Sequence, residues 1–456
     1  MSEERKQLLL KIEPLFDSKD IDQLKALLKN QRESHIAELV EFVDNDRRRL
    51  IFDALDKEVS AEVLEKVDEA TRGELFEVLG DDELAKLVFH LDPDDAADVL
   101  MELPKDEVTE VLDTFPADEA DQIIDLMSYS EDTAGGIMDP IVISVQEDAT
   151  IAQAISKIRA AEIDEDFFSV YVVDTKKKFL GDVRIRLLLT SKEDTKISSL
   201  IDSDTIYVFA QADQEEVRNI FSKNDLIVAP VLNKNHQLIG RITADRIIEV
   251  AEEEAAEDLY AMAGTNPNEL DDVSVVHAAR VRMTWLLPCL IGTCITALVM
   301  VFFKNHNPII YLAAVAFVPM IAAISGNAGL QTSAIVVSGL ATGHFAAQRL
   351  SQVFNREVRI AVLVAISCGV IGGILCTILM YTKAASQSID PIKIVFAFAF
   401  AMFSAIMVAT TLGLFLPFLF RKIGIDPAIS AGPLVTTAND SISVAIYMTL
   451  TLLLAG

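Results

Sequence analysis

Five long apolar stretches, approximately 284–303, 309–341, 359–382, 391–420 and 428–455, constrain this 456-residue chain more than any other feature. Each reaches the roughly 20 residues needed to cross a hydrocarbon core of about 30 Å. In lipid the backbone must satisfy its own hydrogen bonds, so segments of this length are predicted to be helices. The stretches also divide the charge. Residues 284–456 hold eight Lys/Arg and four Asp/Glu, whereas residues 1–283 hold 31 and 65. The overall net charge of −30 is therefore an average of an acidic polar part and a slightly basic apolar part. Such an acidic surface excludes nucleic-acid binding, which needs basic groups to neutralise phosphates. Cys289, Cys294, Cys368 and Cys376 all fall in the apolar part without metal-ligand spacing, and read as small core residues. The charged N-terminus predicts no cleaved signal segment.

Basic residues orient the spans. Arg280, Arg282, Arg349, Arg356, Arg359, Arg421 and Lys422 flank one side, and only Lys304, Lys383 and Lys393 the other. The positive-inside rule then puts the N-terminus and the acidic part in the cytosol and the C-terminus outside. The second and fourth spans carry Pro319, Gly326, Gly329, Gly413 and Pro417, which predict kinks or partly unwound turns.

Asp440 stands near the middle of the last span, where a charge costs about 2.5–3.5 kcal/mol on insertion scales. No Lys or Arg lies at comparable depth in the sequence, so the carboxylate predicts a cation path rather than a bundle-holding hydrogen bond. Thr436, Thr437 and Ser443 stand at helical offsets on its face. In the second span, Gly326, Asn327, Gly329 and Gln331 form a polar insert whose amide oxygens suit the waters of a hydrated cation. Close helix packing is the competing reading of the glycines.

The acidic part contains two repeats. Around 75–127 the pattern of Pro, acids and an apolar pair recurs every 11–13 residues, predicting short helices stacked in a superhelix. Asp94 and Asp95 lie in one unit. Within 139–250, Tyr171-Val172-Val173-Asp174…Gly181 is echoed by Pro230-Val231-Leu232-Asn233…Gly240, with amphipathic helices before and after each copy: a paired α/β regulatory module. The segment 244–259 is strongly acidic, with like charges four apart that repel unless a cation relieves them.

With the inserts SGNAGLQTSAIVVSGLATG (325–343) and SAGPLVTTANDSISVAIY (430–447), this order of domains resembles the MgtE family of magnesium channels and transporters. The resemblance implies a multi-domain membrane protein: an α-helical repeat (superhelical) N-domain (1–130), an α/β tandem CBS pair (131–250, copies at about 139–200 and 201–250), an acidic connecting helix (251–283) and a five-helix α transmembrane domain (284–456). It implies a homodimer in the cell membrane that passes hydrated Mg2+ through a pore lined by Asp440, with Mg2+ also as regulator. Asp245, Glu249, Glu254, Glu257 and Asp258, with Asp94 and Asp95, are the implied sensing acids. Three departures stand out. Leu330 stands between Gly329 and Gln331, where the family usually has a small or polar residue, which bears on pore width and hydration. Arg246 replaces a position often acidic in the sensor, and it argues, with the lack of a Thr–Asp pair after Gly181, against ATP at the CBS pair. A secondary transporter or exchanger of Co2+ or Mn2+ is the alternative. No P-loop, nucleophile motif or histidine cluster points to an enzyme.

Overall fold

The computed structural model describes residues 11–16, 18, 20–161, 167–266, 275–343, 345, 350–382, 390–430 and 432–455. It divides into two units, Met1–Glu252 and Glu253–Gly456. The boundary falls inside the acidic helix Ala244–Ala263.

In the first unit, nine short helices among the described residues run from Ile21–Leu28 to Ala117–Met127. Asp20, Asp44 and Asp68 cap three of them by accepting from the backbone N–H of Gln23, Arg47 and Thr71. Helices this short are marginal alone and depend on tertiary packing. They pack next-but-one: Glu33–Phe42 on Lys57–Lys66, Asn45–Ala54 on Glu69–Leu79, and Lys57–Lys66 on Asp81–Val88. A continuous apolar row results, including Ile36, Val40, Leu64, Leu75, Val88 and Leu100. This is the expected superhelix. Pro93 opens its helix as predicted, whereas Pro104 and Pro116 stand one residue earlier, as N-caps. The fixed φ of proline suits both places.

The α/β pair repeats one topology. β1 (Ser144–Gln146) runs parallel to β2 (Ser169–Val173), which pairs antiparallel with β3 (Phe179–Arg184); β4 (Val208–Phe209), β5 (Val228–Leu232) and β6 (Leu238–Thr243) do the same. The sequence echo is structural. Val172 pairs with Gly181 and Val231 with Gly240. Asp174 Oδ1 accepts from the backbone of Lys176 (2.7 Å) and Lys178 (2.9 Å), and Asn233 Oδ1 from Asn235 (2.9 Å) and Gln237 (3.0 Å). The glycines are needed for a close approach. A Cβ on Gly181 would strike the Asp202 backbone, and one on Gly240 would stand 2.8 Å from the Asp139 carbonyl oxygen. Each glycine thus admits the chain entering the other module. The core of the helical repeat continues into the second module through Ile137, Met138, Val217, Val231 and Val250, while the first module keeps its own core.

The second unit holds five helices long and apolar enough to cross a membrane: Val275–His306, Pro308–Ala341, Ser351–Met380, Ile392–Lys422 and Val435–Leu454. The fourth is central and packs on the second, third and last. Phe398, Ala401, Ala405 and Ile406 form its core with Phe317 and Tyr447. One expected alternative, an unwound turn in the second span, is corrected. The second span breaks at a tight turn, Val315–Phe317, just before Pro319; beyond it Val318–Ala341 is one continuous helix through Gly326 and Gly329. No unwound turn forms at 325–332. Instead, a Cβ on Gly413 would collide with the Gly329 carbonyl, and one on Gly329 would lie 3.2 Å from that of Ala409: small residues here bring two backbones together. The fourth helix likewise continues through Pro417.

The connecting helix ends at Ala263 rather than near 283, and residues 275–283 extend the first span. Gly264, at φ 79°, makes the stop: Thr265 N–H reaches back to the Tyr260 carbonyl (3.0 Å). The end of this helix is seated on the bundle, Ala261 and Met262 packing with Val337 and Ala428. Residues 267–274 of the predicted connecting segment, and the basic loop residues Arg349 and Lys383, lie outside the described residues.

Candidate cation path and acidic cleft

Asp440 is half-buried on the last helix, Pro433–Ala455. Its Oδ1 lies 3.7 Å from where a Cβ on Gly326 would stand, so the carboxylate sits beside that glycine. Its neighbours are more divided than a single polar stripe. Thr436 Oγ1 donates to the Pro433 carbonyl (3.0 Å). Thr437 leans on the first span, where its Cγ2 occupies the space a Gly292 side chain would need. Ser443 is fully buried and turns to the second span. Asn327 and Gln331 stand exposed on that span. Gly329 faces the fourth span. Of the predicted pore residues, Asp440 and Gly326 are brought together. Sequence reasoning missed Asn439, 0% exposed, whose Nδ2 donates to Ser325 Oγ at 2.9 Å. Its position beside the acid was the available signal.

In the first unit an open cleft of about 810 Å3 lies where the helical repeat meets the CBS pair. Asp94, Asp95, Asp98, Asp139, Asp245, Arg246 and Glu249 line it. The helix Pro93–Met101 supplies the first three, and its N-terminal dipole tolerates acids there. Crowding raises their proton affinity: burial, then the charge of Asp95, pushes Asp94 up to about 8, and burial, then Glu65, pushes Asp95 up to about 7. Burial also raises Asp139, opposed by the ion pair it accepts from Arg241 Nε (2.6 Å). Asp245 and Glu249 are exposed on the acidic helix. Glu254, Glu257 and Asp258 follow on the same helix within the second unit. Among the described residues, no three His, Cys, Asp or Glu side chains converge as a metal cage. Arg246 supplies a positive charge instead, with Nη1 3.0 Å from Glu249 and Nη2 3.5 Å from Asp98.

Comparison with known proteins bears on both regions. Residues 318–450 match the MgtE model, described as a divalent cation transporter; residues 31–132 match the MgtE intracellular N domain; and residues 134–192 and 197–253 match CBS domains. A magnesium transporter MgtE of Enterococcus faecalis is 31% identical over 326 residues, 71% of this chain and 69% of the relative. That of Thermus thermophilus is 27% identical over 332 residues, 72% and 71% of the two chains. A crystal structure of the cytosolic domain of the Mg2+ channel MgtE in complex with ATP is 26% identical at a TM-score of 0.50, covering 53% of this chain and 99% of that one. The chain is a multi-pass membrane protein and belongs to the MgtE family of divalent cation transporters.

Proposed function

We propose that this protein passes hydrated Mg2+ across the cell membrane through a path lined by Asp440, and that cytosolic Mg2+ closes it. Asp440 carries the reading: a half-buried intramembrane acid beside Gly326, in a chain whose five apolar stretches contain no Lys or Arg beyond their ends. Mg2+ dehydrates reluctantly and prefers oxygen in octahedral array. A carboxylate holding the ion's waters fits that preference, and low dielectric strengthens the attraction for a divalent ion. The path is completed by a second copy of the chain, whose Asp440 doubles the local charge and whose exposed Asn327 and Gln331 lie within the water-filled region. The acidic unit and the N-terminus face the cytosol, as the basic flanks require.

Closure is an electrostatic switch. Asp94, Asp95, Asp245 and Glu249 repel without metal; Mg2+ offsets the repulsion and favours the compact arrangement by binding it better. Glu254, Glu257 and Asp258 transmit this along the acidic helix, whose end rests on the bundle.

Asp440→Ala in proteoliposomes tests the path. Mg2+ uptake is expected to fall at least about tenfold, consistent with loss of more than about 1.4 kcal/mol of ion stabilisation. A folded variant transporting at the parental rate contradicts it.

A further inference from the structure

Asp440 stands between two residues that tie the last helix to two different neighbours. On one side, Asn439 Nδ2 donates to Ser325 Oγ (2.9 Å), Ser325 Oγ to Ser443 Oγ (3.0 Å), and Ser443 Oγ back to Asn439 Oδ1 (3.0 Å). All three residues are 0% exposed. Ser325 Oγ has one proton and also lies 2.7 Å from the Ile321 carbonyl, so the three side chains form a connected buried network, in which hydrogen bonds reinforce one another at low dielectric. On the other side, Ser441 Oγ lies 2.7 Å from Thr296 Oγ1 and donates to the Gly292 carbonyl (3.1 Å), both on the first span.

Successive helix residues are about 100° apart, so residues 439 and 441 face different partners and 440 falls between them. The carboxylate lies beside Gly326 of the second span, its Oδ1 3.7 Å from where a Cβ there would stand. Small-residue contacts in lipid resist rotation weakly, because neighbouring surfaces are equally apolar. A rotational slip here would leave the Asn439 amide buried without partners, which opposes the slip. We infer that the Asn439–Ser325–Ser443 network and the Ser441–Thr296 contact form a rotational clamp, and that Asn439 is a positioning residue that sets the direction of the Asp440 carboxylate and thereby cation selection. This rests on the reading of Asp440 as the cation-contacting group.

The test uses the full chain in proteoliposomes, measuring Mg2+ uptake against concentration, Ca2+ competition and, separately, the melting temperature. Asn439→Leu keeps the branching at Cγ without the amide and leaves Ser325 its other acceptor, the Ile321 carbonyl at 2.7 Å. It is expected to raise half-saturating Mg2+ about tenfold and weaken the preference over Ca2+, with a smaller change in maximal uptake. Ser441→Ala shifts both in the same direction, and Ser441→Thr, which restores the hydroxyl, reverses the shift. Parental half-saturation and selectivity in both Asn439→Leu and Ser441→Ala overturn the proposal. So does a maximal uptake that only tracks a falling melting temperature. If Asn439→Leu does not fold, Ser441→Ala and Ser441→Thr decide. Asp440→Asn serves as reference: at parental uptake it sinks the reading of Asp440 itself, whereas loss of uptake in Asp440→Asn beside unchanged Asn439→Leu sinks only the clamp.

Discussion

Arg246 shows how one side chain can reset an electrostatic switch. Its guanidinium bridges Asp98 of the helical repeat and Glu249 of the acidic helix, so part of the cleft's repulsion is offset without metal. Both partners are more than a third exposed, and pairs of that kind contribute about 0.2–1 kcal/mol. Arg246→Glu removes this tether and adds an acid. The expected result is weaker protection from proteolysis in EDTA and about a threefold change in the Mg2+ needed for half-protection; a curve superimposable on the parental one counts against the role. Asp440 and the acids proposed to sense the ion were legible as residue types in the sequence, because a mid-span acid and an i, i+4 run of acids are both costly. Asn439 was not, because an amide beside an aspartate has no periodic signature. Its network includes Ser325, more than a hundred positions away.

At the scale of elements, the paired module was legible because its two copies reuse the same turn and the same glycine. The purpose of Gly181 and Gly240 was not, since each makes room for a linker distant in sequence. The second span misled for a related reason: glycines that permit unwinding equally permit close packing, and only the facing Ala409 and Gly413 decide between them. The acidic helix carries two predictions. Glu254→Gln, Glu257→Gln and Asp258→Asn together should move the midpoint of Mg2+ protection against proteolysis by at least about threefold, on the order of 0.7 kcal/mol; an unmoved midpoint excludes these acids from sensing. The helix Pro93–Met101 carries a pH dependence. Asp94 and Asp95 bind protons more tightly in the folded cleft than at their ordinary value of 3.8. Their contribution is therefore fully present at low pH and is lost as pH rises through about 7 and then about 8. In EDTA, the cleft should be more protease-sensitive at pH 9 than at pH 6, and Asp94→Asn with Asp95→Asn should flatten that difference. Equal slopes in parent and variant would assign the pH effect elsewhere.

For the whole molecule, the division into an acidic unit and an apolar bundle was written in the charge distribution, and the structure places the boundary inside the helix that joins them. On the proposed reading, charge and ion path belong to one device, in which the acidic unit reads the ion that the bundle carries. Purified protein in liposomes, with Mg2+ uptake followed as Mg2+ on the cytosolic face is raised, tests that coupling most directly. Uptake should be high at micromolar and fall steeply at millimolar cytosolic-face Mg2+, without any opposing ion gradient. Uptake that is indifferent to cytosolic-face Mg2+, or that stops when an opposing gradient is removed, would contradict a metal-closed channel.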